Sequence, residues 1–295
     1  GRFALSHLRE EPPPVAERQL IDRWILSRLE RTRAAADEML GRFDLGEAAR
    51  LLHEFFWGEL CDWYLEFSKG CLYGREGEAA AAARRTLWEV LDRTLRLLHP
   101  FVPFITEEIW QHLPHHGPSL AVAEWPQPRP QDLDPEAESR VGLVVEVTRA
   151  IRNLRAEVRV PPGKPSEVLV VAPQAEARAA LQDMAGHIRA LGGADPLRIV
   201  ESVGSRPRQA LAAVVPGAEV YLPLQGLVDV EREVARLRRE LDQAESDHAR
   251  SRARLDDPGF RRRAPAEVVQ KEEEREAALR QKAEGLRRRL EELGS

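Results

Sequence analysis

The chain has 295 residues, with 44 Lys and Arg against 49 Asp and Glu, for a formal net charge of −5. That length allows about two domains, and a net acidic chain confines any nucleic-acid site to a local patch. Two cysteines, Cys61 and Cys71, cannot make a disulfide scaffold and read as free thiols of a reducing, cytoplasmic compartment. No run of about 18 apolar residues exists, so no membrane span is expected. The segment GRFALSHLREEPPP has no apolar core or cleavage site of a secretory signal, and it reads as a chain entered in mid-helix.

The expected fold class is mainly α: a helical bundle, a small α/β module, then a long antiparallel coiled-coil hairpin. The bundle occupies residues 1–157. Its first helix runs from about Ala16 to Leu40, with Leu20, Trp24, Ile25 and Leu29 spaced for one face. Gly41 ends it and Asp44 caps the next. Leu45 to Lys69 reads as one helix with a wide apolar face, as in a bundle. A third helix covers Glu78 to Leu98, HPFVPF breaks it, and a fourth starts near Thr106. A fifth, from about Pro135 to Ala156, carries Val141, Val144, Val147, Ile151 and Leu154 on one stripe.

Residues 158–225 change character. SEVLVVAP reads as a strand, a helix follows over about Ala175–Leu191, and Gly192-Gly193 ends it. LRIVES, AVVPG and EVYLPL are three further strand candidates.

Residues 226–295 carry the clearest pattern. From Leu227 to Leu255 apolar and small residues alternate spacings of three and four over four heptads. DDPGF interrupts, Pro265 favours a restart, and the spacing resumes from Val269 to Leu293. Folded back, Leu255 meets Val269, Ser251 meets Glu272, His248 meets Glu276, Ala244 meets Leu279 and Leu237 meets Leu286. The residue numbers in each pair add to nearly one constant, as an antiparallel hairpin requires.

Two basic patches stand out. At the tip of the hairpin Arg250, Arg252, Arg254, Arg261, Arg262 and Arg263 face only Asp256 and Asp257. Such a projecting tip suits phosphate, although charge runs also serve as plain solvated helix surface. Arg250 and Arg275 flank the seam at one height. His248 and Glu276 read as a polar layer that sets register. The second patch is Arg149, Arg152, Arg155, Arg159 and Lys164, opposed only by Glu157, where arginines three and four apart share a helix face. An ordinary helix surface is the competing account.

No catalytic constellation emerges. There is no phosphate-binding glycine loop, no GxSxG, no HExxH and no zinc-spaced cysteine pair. His112, His115 and His116 lack further ligands for a metal. Cys61 reads as a packed thiol.

DRWILSRL, FDLGEAARLLHEFFWGELCDWYLEFSK, LHPFVPFITEEIWQHL and IRNLRAEVRVPPGKP, in that order, resemble the C-terminal half of valyl-tRNA synthetases, class I aminoacyl-tRNA synthetases. EVYLPLQGLVDVEREVARLRREL and FRRRAPAEVVQKEEE extend the likeness over essentially the whole chain. The resemblance implies an anticodon-binding bundle and an arm that reaches the corner of tRNA where the D and T loops meet. It implies tRNA for valine as partner, a monomer, and catalytic and editing domains that lie outside this chain. ATP and Mg²⁺ belong to the complete enzyme, and no cofactor is expected here. The HIGH-type and KMSKS-type motifs are missing, so this chain is not expected to attach valine by itself. By the same resemblance Arg2 faces the anticodon stem-loop. Trp24 is a candidate stacking surface for an unpaired base, with bundle core as its alternative. Docking of a protein partner by a free-standing coiled coil is the other functional expectation.

Overall fold

The computed structural model describes residues 7–8, 10–15, 17–73, 77–161, 163–205, 207, 209–224, 230–257, 259–260 and 265–294, without the side chains of 230–235, 266, 289 and 291–294. Arg2, Arg261, Arg262 and Arg263 lie outside the described residues. The chain forms two compact units, residues 1–145 and 146–295. Among the described residues no helix is long and apolar enough to cross a membrane.

The first unit is all helical. Its helices are α1 (Leu20–Gly41), α2 (Leu45–Glu54), α3 (Leu65–Leu72), α4 (Glu78–Leu98), α5 (Pro103–Gln111) and the first part of α6 (Pro135–Glu157). Gln19 and Asp22 close a reciprocal capping box at the start of α1, which satisfies amides that the first turn leaves open. Between α2 and α3 the chain stays helical but widens to a π-helix over Phe55–Tyr64. Phe55, Leu60 and Tyr64 are all buried. Their spacings of five and four fit the wider i→i+5 turn, so the expected single helix contains a π segment. The α5 helix starts at Pro103, three residues before the expected Thr106, because proline suits the first helical position.

Trp24 is corrected from candidate stacking surface to core. Only 4% of it is exposed, and its ring meets Phe67 edge-on at 6.2 Å. No ring face is left for a base. It sits among Ile21, Ile25 and Leu29, which are buried on the same helix.

The bundle interior also holds charge. Arg33 and Arg93 both donate to Glu30, Arg93 reaches Asp132 at 3.1 Å, and Arg33 contacts Asp37. Trp125 Nε1 donates to Asp37 at 2.8 Å. These arginines and Glu30 are nearly inaccessible. Burial opposes ionisation of Glu30, but the hydrogen bonds and charge of Arg33, with the Arg129 amide and Arg93, hold its carboxyl below the ordinary value. Tyr64 donates to buried Asp22 at 2.7 Å and ties the π segment to α1. Burial raises the Asp22 carboxyl in spite of that bond.

The second unit begins in the C-terminal part of α6. Its sheet contains β1 (Ser166–Val171), β2 (Ala194–Val200), β3 (Ala210–Val215) and β4 (Ala218–Pro223), in the order β2-β1-β4-β3. Strands β1 and β2 are parallel, and the other neighbours are antiparallel. Parallel neighbours need a crossover, here α7 (Ala175–Asp183) and α8 (Ala185–Gly192). The expected single crossover helix breaks at Met184, whose side chain is buried. Pro216-Gly217 closes the β3–β4 hairpin, with Gly217 at φ 86°, as a type II turn asks of its third residue. Leu169, Val171 and Tyr221 form a core on one face of this sheet.

The end of α6 is pinned to the end of α8. A Cβ on Gly192 would stand 3.3 Å from Ile151 Cγ2. Gly193 has φ 64°, and a Cβ there would stand 3.0 Å from the Arg155 guanidinium carbon. Arg155 donates to the Gly193 carbonyl at 3.1 Å, to the Lys164 carbonyl at 2.8 Å and to Ser166 Oγ.

The two terminal helices are α9 (Val230–Asp256) and α10 (Ala266–Gly294). They pack on each other, and α10 also approaches β3. Leu237, Ala244, Ser251 and Leu255 of α9 are buried, as are Glu272, Ala283 and Leu286 of α10. At about 1.5 Å per residue α9 is roughly 40 Å long.

Two stability outcomes follow from these contacts. Arg93→Ala leaves Glu30 and Asp132 short of a buried cation and is expected to destabilise the chain by about 3–5 kcal/mol, read from urea unfolding. Because the folded Glu30 carboxyl is depressed, its contribution is complete above its unfolded value and fades as pH falls through the lower folded one. Gly193→Ala is expected to cost about 1–2 kcal/mol for the left-handed backbone, plus displacement of Arg155. Gly204→Ala, with open space around it, is the control and should unfold like the parent chain.

Candidate nucleic-acid interface

Two helices that pack mainly on each other must set their own register. Along α9 and α10 apolar residues supply adhesion, and polar contacts supply alignment near the tip. Ser251 Oγ donates to Glu272 at 2.6 Å, and His248 Nε2 meets Glu276 at 2.6 Å. Both pairs are those that an antiparallel fold-back of the heptads aligns. Glu272 is buried and also accepts from Arg254 at 3.2 Å. A slip by one turn would strand that carboxylate, so the layer opposes sliding.

Arg250 and Arg252 lie outside this seam, and Arg254 borders it through Glu272. Arg250, Arg252 and Arg254 expose 69%, 70% and 54% of their side chains. Arg250 pairs with Asp247, Arg252 lies 3.8 Å from Asp256, and the Arg254 guanidinium sits 4.6 Å over the Phe260 ring. The Gln243 amide, then Arg250 and Arg275 beside it, hold the Asp247 carboxyl below its ordinary value. Arg250 on α9 and Arg275 on α10 therefore act on one carboxylate from the two helices. Exposed ion pairs of this kind contribute little to stability. A phosphate can replace such a carboxylate at little cost.

The second basic patch divides by role. Arg149 is exposed and pairs with Glu146 at 2.9 Å. Arg152 spends its Nε–H on the Leu191 carbonyl at 2.8 Å. Arg155 is turned inward onto three oxygens, and desolvation lowers its pKa. It shapes the backbone. Arg152 and Arg155 border an open cleft of about 520 Å³, lined also by Lys164, Arg189 and Asp195. Arg189 carries little local signal in the sequence beyond its place one turn before the Gly-Gly that ends α8.

Other candidates are placed elsewhere. Phe43, Trp57, Tyr73 and Phe104 each expose more than half of their surface in the first unit. Trp57 lies against Phe56, edge-on at 5.6 Å, and near His53. Periodicity gives no reason to separate it from the buried Trp63. His112 and His115 contact backbone carbonyls, and His116 meets Glu11 at 3.0 Å. Among the described residues no group of three His, Cys, Asp or Glu could hold a metal ion. Cys61 is half-buried, and burial raises its thiol pKa, which favours packing over nucleophilic chemistry.

Comparison with known proteins matches both regions. Residues 22–170 match the anticodon-binding domain of tRNA ligase, and residues 229–294 match the valyl tRNA synthetase tRNA binding arm. The valine–tRNA ligase of Geobacillus kaustophilus (strain HTA426) is 41% identical over 297 residues, covering 99% of this chain and 34% of that protein. That of Carboxydothermus hydrogenoformans is 43% identical over 293 residues, with 98% and 33% covered. That of Bacillus subtilis (strain 168) is 38% identical, with 99% and 34% covered. The chain thus spans about a third of the length of the curated relatives it matches. With one family model over half of the chain and a second over its paired terminal helices, the chain belongs to the valyl-tRNA synthetase family and carries that family's anticodon-binding domain and tRNA-binding arm.

Proposed function

We propose that this chain binds valine tRNA on behalf of a complete valine–tRNA ligase. The bundle engages the anticodon stem-loop, and the arm engages the corner where the D and T loops meet. The complete enzyme, a cytoplasmic monomer, uses ATP and Mg²⁺ and supplies the aminoacylation site and the editing site. This chain supplies reach and grip.

The observation that carries the reading is the arm. Its seam is closed by its own residues, and Arg250, Arg252, Arg254 and Arg275 stand on its exposed flanks near the turn. Arginine presents a planar fork that matches phosphate oxygens. A rigid antiparallel pair holds those forks at a fixed distance from its base. Arg261, Arg262 and Arg263 follow in the sequence. In the bundle, exposed Trp57 offers a ring for an unpaired base, since single-stranded RNA is read largely by stacking.

Binding of valine tRNA is expected to weaken steeply with salt. Each neutralised phosphate adds roughly 0.7–0.9 to the slope of log affinity against log salt. The double variant Arg250→Ala/Arg275→Ala should lose roughly tenfold or more in affinity, hydrogen bonds to charged groups being worth about 1.5–3 kcal/mol. Its slope should fall by about 1 for each phosphate that the variant no longer neutralises. Fluorescence anisotropy with labelled tRNA at several salt concentrations checks both. Salt-independent binding, or equal binding of tRNA and an acidic protein control, would remove the reading.

A further inference from the structure

We infer that the cleft between the end of α6, the loop through Lys164 and the end of α8 holds one nucleotide of a single-stranded RNA segment, with Lys164 and Arg189 on its phosphate. This deepens the RNA-binding reading above and rests on it. Four cations line the cleft, Arg152, Arg155, Lys164 and Arg189, against one carboxylate, Asp195. The surplus occurs in a chain whose net charge is −5.

The end of a helix is normally a poor place for an anion, because its last carbonyls carry negative partial charge. Here two of the carbonyls at that end, Leu191 O and Gly193 O, are covered. Arg152 Nε donates to Leu191 O at 2.8 Å. Gly193 O accepts from Arg155 at 3.1 Å and from the Ser166 amide at 3.0 Å. Two arginines thereby convert a negative helix end into a positive wall. Arg155 also donates to the Lys164 carbonyl at 2.8 Å, which fixes the backbone that carries the Lys164 ammonium. Arg152 and Arg155 are positioning residues, and exposed Lys164 and Arg189 are the binding residues.

Size and lining fit such a ligand. A volume of about 520 Å³ suits a unit of nucleotide size. Ala156, Val160, Pro165 and Leu191 add apolar lining to the cleft, against which a base can rest. The cleft is open to solvent, so a strand can enter and leave without threading.

The test uses the full chain, a short labelled oligouridylate, valine tRNA and free UMP, each titrated at several salt concentrations. Lys164→Ala/Arg189→Ala should weaken oligouridylate binding roughly tenfold and make its salt slope shallower by about 0.7 for each phosphate left without its cation. Both side chains are exposed, so thermal unfolding should be unchanged. Lys164→Glu should weaken binding further. Unchanged oligouridylate affinity and slope in the double variant would overturn the inference. If the arm variant Arg250→Ala/Arg275→Ala alone weakens tRNA, the cleft inference fails and the arm reading survives. If the parent chain binds neither RNA, both fall. Equal affinity for free UMP and the oligouridylate would overturn assignment to a strand.

Discussion

The constraint beneath this structure is that α9 and α10 must bury their apolar stripes against each other. Leu237, Ala244, Leu255, Ala283 and Leu286 do so. Leucine and alanine adhere well but discriminate poorly between registers, since a shift of one heptad presents similar side chains. Discrimination comes from Ser251, His248, Glu272 and Glu276, which only one alignment satisfies. The arm gives up adhesion near its tip and gains a defined tip. That exchange has functional weight, because an arginine cluster recognises phosphates only if its forks are held in place. A sliding pair would carry the same charge with none of the geometry.

The arm is the most legible part of the chain for this reason. A two-helix fold-back has one unknown, the register, and the heptads of both helices constrain it. The bundle is legible as a set of helices and less so as a packing. Trp24 illustrates the limit. Its neighbours at spacings of three and four are apolar in several directions, so the stripe is too wide to say which ring faces out. The buried Trp24 and the exposed Trp57 look alike in sequence, and only the partners contributed by other helices separate them. The π segment is hidden for a related reason. An apolar run over Phe55–Tyr64 fits an α-helix or a wider turn equally until Tyr64 must reach Asp22.

Arginine usage divides the chain more sharply than net charge does. Arg33 and Arg93 neutralise buried carboxylates in the bundle. Arg152 and Arg155 cover carbonyls at the end of α8. Arg250 and Arg252 stand in solvent beside Asp247 and Asp256. Helical spacing alone leaves the middle pair between a ligand surface and an ordinary helix face. The acceptors are brought to them by a crossover that ends some forty residues later in the chain, and no local pattern encodes that return. Arg189 is invisible by the same logic, since it joins the patch only when α8 folds back.

These uses have different consequences under substitution, and the difference follows from burial. Removing a buried arginine leaves a carboxylate without water or partner, so the loss falls on folding. Removing an exposed one leaves a carboxylate that water solvates, so the loss falls on whatever anion the guanidinium was to meet. Arg155 lies between these limits. Its acceptors are neutral carbonyls and a hydroxyl, and desolvation already lowers its pKa. A lysine there would keep the charge but could not fork across Gly193, Lys164 and Ser166 together. The backbone on both sides of the cleft would then loosen while its formal charge stayed the same. In this chain the placement of positive charge, more than its amount, is what the fold determines.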